Sequence, residues 1–308
     1  QYEIAIPLKF LNFNTDNDTF GVQFYVRDIK NNSWTIFKNV SRNYANLDLR
    51  FTEKFSVENL PKKAGSRFAL TPSITTNYQK DLLNAEEKTT IVPSLDLQYN
   101  VTSSLKLDAT INPDFSQIDV DQQVTNLTRF SIFFPERRNF FLENADLFSN
   151  LGVQGVNPFY SRRIGAESAM QFGLKLSGNI SPKTRIGLLN AQTKEEDSNP
   201  SNNFGALVVE QQLSKNFTGT AFLINKQETN GFSTVNNYNR VAGINVNYKS
   251  SNNKWIGLAN YASSFTDNVS NNNRFYNLGI WYNKRGLEWN VGVRNVGSNY
   301  LTEVGFTP

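Results

Sequence analysis

Apolar and polar residues alternate along most of this chain, in segments of about ten residues, the length that a tilted strand needs to cross a bilayer. One segment places Phe68, Leu70, Pro72, Ile74 and Tyr78 on one face, with small polar residues between them. Successive side chains of a β-strand point to opposite faces. The pattern therefore predicts a strand with one apolar face.

The same alternation recurs downstream. In the segment that follows residue 104, Lys106 and Asp108 lie on the face opposite the aliphatic one. This arrangement is typical of a membrane barrel, whose apolar face meets lipid while the polar face lines the interior; roughly ten to twelve strands fit the template. The further segments with an apolar face are 91–99, 105–111, 242–248, 276–282 and 287–293.

Turn signals separate the segments. Short polar turns are predicted at 250–253 and 283–286, and longer Asn- and Ser-rich loops near 193–203, 227–238 and 266–273. Short turns on one rim and long loops on the other are expected of an outer-membrane barrel.

Aromatic residues gather near the segment ends, as do Tyr78, Tyr99 and Trp255. They predict the aromatic girdles of a membrane barrel. The alternative is that aromatic residues simply favour strands.

Two regions break the alternation. Residues 1–60 hold shorter strand-like pieces, at 3–10, 21–29 and 34–37, and look like the end of a soluble β domain. Within the barrel region, 61–308, residues 112–170 form an insertion that is too long for a hairpin turn.

Composition excludes several classes of function. The 31 basic and 27 acidic residues are scattered along the chain, so no basic stripe for nucleic acid is present. Cys and His are both absent, which excludes thiolate and imidazole metal sites and the usual nucleophile pairs. The chain shows no signal peptide or long apolar run and begins at Gln1 rather than Met, which favours a mature or trimmed chain.

The insertion combines charged residues with runs of Phe, as expected of a loop folded into a barrel lumen. Two interpretations stay open: a plug or constriction that sets what passes, and a salt-bridged staple that fills the interior. The residues concerned are Arg129, Glu136, Arg137, Arg138, Glu143, Asp146, Arg162 and Arg163.

Other candidate chemistry is sparse. Asp114, Asp119 and Asp121 could offer oxygen ligands to Ca²⁺, but their spacing departs from the calcium loop, and a solvated acidic loop is the simpler interpretation. No other cofactor is expected. Carboxylate pairs at 86–87 and 195–197 lie among polar loop residues, so we expect no catalytic residue and no enzyme activity.

The most distinctive motifs of the insertion are 112–117, 126–130, 133–143 and 159–165. They resemble a family of large outer-membrane proteins, common in Bacteroidota-type bacteria, whose barrel has no assigned function and follows a domain similar to family-nine carbohydrate-binding modules. The resemblance implies that residues 1–60 are the last strands of that domain and that 61–308 are an incomplete barrel.

These observations predict an all-β chain: an antiparallel transmembrane β-barrel of the bacterial outer membrane, with an internal loop, preceded by the C-terminal strands of a β-sandwich-like domain. The expected function is a porin-like channel, or a scaffold subunit of a surface complex for secretion, assembly or uptake. Its partners would be outer-membrane lipid and other outer-membrane or surface-lipoprotein subunits, not nucleic acid. The alternative is a surface carbohydrate-binding protein that captures glycans and uses the barrel as its anchor.

Overall fold

The structure, a computed structural model, describes part of the chain. The described residues are 3–5, 18–40, 51–57, 67–81, 86–113, 133–196, 199–230, 233–267 and 271–307.

Strands dominate the described residues. No helix among them has the length and apolarity that a membrane span requires. The helices are α1 (Asn139–Leu142) and α2 (Ala145–Ser149). The strands are β1 (Thr19–Val22), β2 (Tyr25–Asp28), β3 (Ser33–Ile36), β4 (Glu53–Ser56), β5 (Phe68–Asp81), β6 (Glu86–Asn100), β7 (Leu105–Ile111), β8 (Met170–Ser181), β9 (Thr184–Thr193), β10 (Ser201–Gln212), β11 (Phe217–Asn230), β12 (Ser233–Lys249), β13 (Trp255–Thr266), β14 (Arg274–Lys284) and β15 (Leu287–Val296).

Strands β5 to β15 form one eleven-stranded antiparallel sheet in chain order. The predicted all-β architecture is confirmed, and each alternating segment is a strand of this sheet. One predicted loop is wrong: β11 continues to Asn230 and β12 starts at Ser233, so most of 227–238 is strand. Cross-strand pairing, of Gln227 with Tyr238 and of Asn230 with Ser233, outweighs the preference of the Asn and Ser residues there for turns.

The chain divides into two compact units. The first contains residues 1–66, 249–256 and 280–291, and the second contains 67–248, 257–279 and 292–308. In the first unit, β1 pairs with β4 and β2 pairs with β3. The strand-like piece predicted at 21–29 is therefore divided between two strands that belong to different sheets. The piece predicted at 3–10 lies mostly outside the described residues, and 3–5 are not in a strand.

In the second unit the sheet has an exposed face and a covered face. Leu223 and Ile244 on the outward face are each 55% exposed, whereas Phe222 and Val241 beside them on the covered face are 3% and 1% exposed. Residues 133–165, here called the inner segment, supply much of the apolar core of this unit. Its buried residues there are Phe141, Leu147, Phe148, Leu151, Val156, Phe159 and Ile164.

The covered face is not uniformly polar, contrary to the simple barrel pattern. On β7 it carries the charged residue Asp108, as predicted, and on β8 it carries Lys175. On β9 to β12 it is apolar at Leu189, Val208 and Phe222. Large apolar side chains of the inner segment need apolar partners, so this part of the sheet resembles the core of a soluble protein.

Candidate functional site

The inner segment lies in the connection between β7 and β8. Strand β7 ends at Ile111 and β8 starts at Met170, so the predicted insertion, 112–170, lies between these two strands. Its described part contains α1, α2 and a short 3₁₀ helix, Ser161–Arg163. These helices are too short to be stable alone, so their conformation depends on contacts with the sheet.

The two ends of the inner segment are joined by Glu136 and Arg138. The Glu136 carboxylate accepts hydrogen bonds from Arg138 Nε at 2.9 Å and Nη2 at 2.7 Å, and from Ser161 Oγ at 2.6 Å. Arg138 also donates to the backbone oxygens of Ser161 and Ile164, both at 2.6 Å. A bidentate, charge-assisted pair of this kind fixes orientation as well as distance.

Burial raises the pKa of Glu136, but the Arg138 guanidinium and the Ser161 hydroxyl outweigh it and hold the pKa below its ordinary value of 4.5. The carboxylate also accepts the backbone N–H groups of Arg137 and Arg138. Because each of these donors favours the ionised form, Glu136 and Arg138 form an ion pair at neutral pH. We call this contact between the two ends of the inner segment the junction.

An aromatic cluster closes the same junction. Phe133 stacks on Tyr160 with ring centroids 4.9 Å apart, and Phe306 contacts both rings edge-on. The Tyr160 hydroxyl donates to the backbone oxygen of Phe134 at 2.7 Å. Residues near the C-terminal end of the chain thus help to hold the start of the inner segment.

A second charged cluster fastens the middle of the inner segment to β7 and β8. Lys175 of β8, 1% exposed, donates to the backbone oxygens of Phe140 and Glu143. It lies 3.4 Å from Asp108 of β7, and Lys106 pairs with both Asp108 and Glu143. Two lysines and two carboxylates therefore balance each other, as buried charges require.

A third pair joins α2 to the next strand. Arg185 of β9 donates to both oxygens of Asp146, at 2.7 and 3.1 Å, and to Glu210 of β10 at 3.2 Å. Asp146 is half exposed, so this pair is more solvated than the other two.

Two glycines of the covered face make room for rings of the inner segment. A Cβ at Gly187 would lie 2.7 Å from the Phe148 ring, and one at Gly173 would lie 2.8 Å from the Phe140 ring. Only residues without a side chain permit this approach, so the sheet is shaped to receive these two rings.

The residues that follow β15 lie against the same unit. Glu303 pairs with Lys226 of β11 at 2.7 Å, and its backbone N–H donates to Asn239 of β12. Arg163 donates to the backbone oxygen of Gly305 at 3.3 Å. Residues 297–307 thus connect the inner segment to the middle of the sheet.

The structure brings the predicted charged residues into three separate clusters rather than one constriction. Glu136 and Arg138 pair with each other, whereas Glu143 and Asp146 pair with strands. Arg137, Arg162 and Arg163 flank the first cluster, and Arg129 lies outside the described residues. The sequence placed Lys106 and Asp108 on the polar face of their strand without identifying them as partners of the inner segment. The strand partners Lys175, Arg185 and Glu210 were missed, although charges that alternate with apolar strand residues were a signal for them.

The three clusters hold the inner segment in place. No cluster of metal-ligating side chains occurs in the described ranges, and the predicted Ca²⁺ ligands Asp114, Asp119 and Asp121 lie outside them. The described carboxylates of the three clusters are neutralised by a neighbouring guanidinium or ammonium group.

The fold and this site together define an all-β protein with a large antiparallel sheet and a segment packed on one face. Residues 64–192 match the model of a family described as a domain of unknown function (DUF5916). The match extends from just before β5 to the end of β9 and includes the inner segment. No curated protein and no solved structure matches the chain.

Proposed function

We propose that this chain is part of an outer-membrane β-barrel whose interior is filled by the inner segment, and that it serves as a membrane scaffold rather than an open channel. The main observation in support of the proposal is the outward face of the sheet. Its apolar residues recur on strand after strand, from Leu70 and Ile91 to Leu223 and Leu278, each 49% exposed or more. Exposed apolar surface on this scale marks a membrane or protein interface.

The spacing of outward aromatic residues supports the same placement. Three strands carry a pair of them ten positions apart: Phe68 and Tyr78, Tyr238 and Tyr248, Trp255 and Phe265. Ten residues of strand extend about 33 Å, and a tilt of about 40° reduces this to roughly 25 Å, the height of the apolar band of such barrels. The similarity of the insertion motifs to outer-membrane proteins of Bacteroidota-type bacteria agrees with this location.

The contacts of the inner segment favour a scaffold. Phe148 and Leu151 are buried against the covered face, and three charged clusters hold the ends and the middle of the segment. A segment that opened readily would have few buried apolar contacts. The opposite arrangement is seen here, so the inner segment fills the interior that β7 to β12 would line.

Planar-bilayer conductance tests the proposal. The full chain, shown by heat-modifiable gel mobility to be folded and inserted, is compared with a variant that lacks residues 117–155. The proposal predicts no current steps for the full chain and steps for the variant. Steady conductance by the full chain would contradict it and support a channel.

A second candidate function, surface glycan capture, is favoured by one observation in the first unit. Tyr25 and Trp34 on the β2–β3 hairpin are 43% and 47% exposed, with ring centroids 5.4 Å apart, and Arg27 lies over the Trp34 ring. Neighbouring exposed rings with polar groups such as Asp28 and Asn31 suit the apolar faces and hydroxyls of a sugar.

Binding to a panel of oligosaccharides tests this candidate. Trp34→Ala should abolish any binding, whereas Phe55→Ala, which removes an exposed ring on β4, should leave it unchanged. If the unaltered chain binds no member of the panel, or if both variants bind equally, the hairpin is not a glycan site.

A further inference from the structure

The outward face of β9 to β12 is organised in rows set by the strand register. One row reads Asn190, Gly205, Asn225 and Arg240, directly paired across the four strands. The neighbouring row, two residues away on each strand, reads Leu188, Leu207, Leu223 and Ala242. Polar groups and a cation therefore border an apolar surface. We call the first row the amide notch.

Gly205 leaves a gap in the amide notch. A Cβ there would have its nearest neighbour, Asn225 Cβ, at 3.7 Å, so the position has free space on the outward side. From this gap a groove of about 490 Å³ extends over Leu207, Leu223 and Ala242. A second groove of about 470 Å³ continues it past Ala221 to Ile244 and Tyr261. Small residues between larger aliphatic ones make this continuous depression, which we call the apolar groove.

Arg240 stands at the polar end of the apolar groove. Its guanidinium donates to Asn225 Oδ1 at 3.1 Å and to Gln227 Oε1 at 3.3 Å, and it lies 4.4 Å from the centre of the Tyr238 ring. No carboxylate of the described residues forms an ion pair with it. An arginine has five N–H donors, so three stay available for an anion after these two bonds.

We propose that the amide notch and the apolar groove form a binding site for one anionic phospholipid. Its phosphate would sit at Arg240 and an acyl chain would lie along Leu207, Leu223 and Ile244. This inference rests on the proposed membrane location of the sheet. The observation behind it is that the exposed Arg240 guanidinium, which has no ion-pair partner among the described residues, lies at one end of an apolar groove. A phospholipid has the same two parts, an anionic phosphate that suits the guanidinium and an acyl chain that suits the apolar groove.

The positions of the aromatic residues agree with this orientation. Tyr238, one row beyond Arg240, is at the level of an aromatic belt, where the interface with the lipid head groups would lie. Stacked on that ring, Arg240 can extend from the apolar region toward the head groups while its stem stays on the strand. Without a bound phosphate or access to the head groups, the polar side chains of the amide notch would be costly on a face that meets lipid.

Native mass spectrometry of the full chain in detergent tests the site. Equal amounts of phosphatidylglycerol and phosphatidylcholine with identical acyl chains are added, and retained lipid is measured as collision energy rises. The unaltered chain should retain phosphatidylglycerol about tenfold better, the order expected for charge-assisted hydrogen bonds. Arg240→Gln should remove this preference, and Gly205→Leu, which fills the gap, should remove retention of both lipids.

Two control variants separate this site from general effects. Lys183→Gln removes one positive charge from the turn between β8 and β9, at the opposite ends of these strands, and should keep the preference. Ile180→Phe adds outward apolar bulk on β8, outside the apolar groove, and should also keep it. Equal retention of both lipids by the unaltered chain, or an unchanged preference in Arg240→Gln, would overturn the proposal.

The remaining outcomes separate this inference from the proposed function. A chain that inserts into vesicles but shows no lipid preference would overturn only the lipid site. A chain that stays soluble without detergent and does not associate with vesicles would overturn both. A dimer whose formation is blocked by Gly205→Leu would assign the apolar groove to a second copy of this chain instead of a lipid.

Discussion

Asp146 on α2 accepts two hydrogen bonds from the Arg185 guanidinium on β9, at 2.7 and 3.1 Å. This is the most exposed of the contacts by which a charge of the inner segment is fastened to the sheet, since 54% of the Asp146 side chain is accessible. Its geometry is bidentate, but solvent reaches it. The effect of removing this contact on the free energy of unfolding therefore shows how much ion pairs, compared with apolar packing, contribute to holding the inner segment.

We expect Asp146→Asn to lower the free energy of unfolding by less than about 1 kcal/mol, because exposed ion pairs contribute little. Urea unfolding followed by tryptophan fluorescence in detergent measures the change. A loss several times larger would mean that this pair, rather than the buried core, anchors the segment.

Removing a partner of the buried pair should cost far more. Arg138 is 6% exposed, and Arg138→Leu leaves the Glu136 carboxylate in the junction without its counterion. We expect a loss of about 3–5 kcal/mol, as for other buried pairs broken on one side. The double variant Glu136→Gln, Arg138→Leu should recover part of it. The absence of any recovery would show that the two side chains act independently.

Acid should weaken the same junction. The pKa of Glu136 is lower in the folded chain than its ordinary value of 4.5, because Arg138 and Ser161 outweigh the effect of burial. The stabilisation is therefore complete above pH 4.5 and is lost as pH falls through the lower, folded pKa. Protease cleavage of the inner segment should increase below that pH in the unaltered chain and in Glu136→Asp, but should change less with pH in Glu136→Gln. Identical pH profiles for all three would contradict the assignment.

Two glycine substitutions should act in opposite directions. Gly187→Ala places a methyl group 2.7 Å from the Phe148 ring and should cost about 1–3 kcal/mol through overpacking. Gly205→Ala has its nearest neighbour at 3.7 Å and should be neutral or slightly stabilising, since it restricts the unfolded chain. Phe148→Leu should restore stability to Gly187→Ala. Equal costs for the two alanine variants would mean that the ring does not pack where the structure places it.

Strand positions could be predicted from sequence because alternation with period two is local. Ile111 and Met170, the residues that border the insertion, were located to within a residue or two. Asn- and Ser-rich residues around 227–238 were mistaken for a loop, because composition indicates turns while pairing between β11 and β12 is decided by more distant neighbours.

The partners of the inner segment could not be predicted. Lys175 and Glu143 are 32 residues apart in sequence, and the packing of the inner segment on the covered face brings them together. The apolar covered face of β9 to β12 was also missed. Val208 lies between the apolar outward residues Leu207 and Val209, and Leu189 follows Leu188, so the two faces differ little in polarity there and alternation alone cannot show which side is buried.

Site-specific fluorescence quenching determines whether the outward face of this sheet meets lipid. The chain has no cysteine, so single thiols can be introduced at Val209, on the outward face, and at Glu210, on the covered face. Each is labelled with an environment-sensitive dye, and the full chain is reconstituted into vesicles. If the outward face meets lipid, quenchers carried on acyl chains act on the label at residue 209 and not on the label at 210. If aqueous iodide quenches the label at 209 and the lipid-borne quenchers do not, the sheet does not face the bilayer and the barrel assignment is wrong.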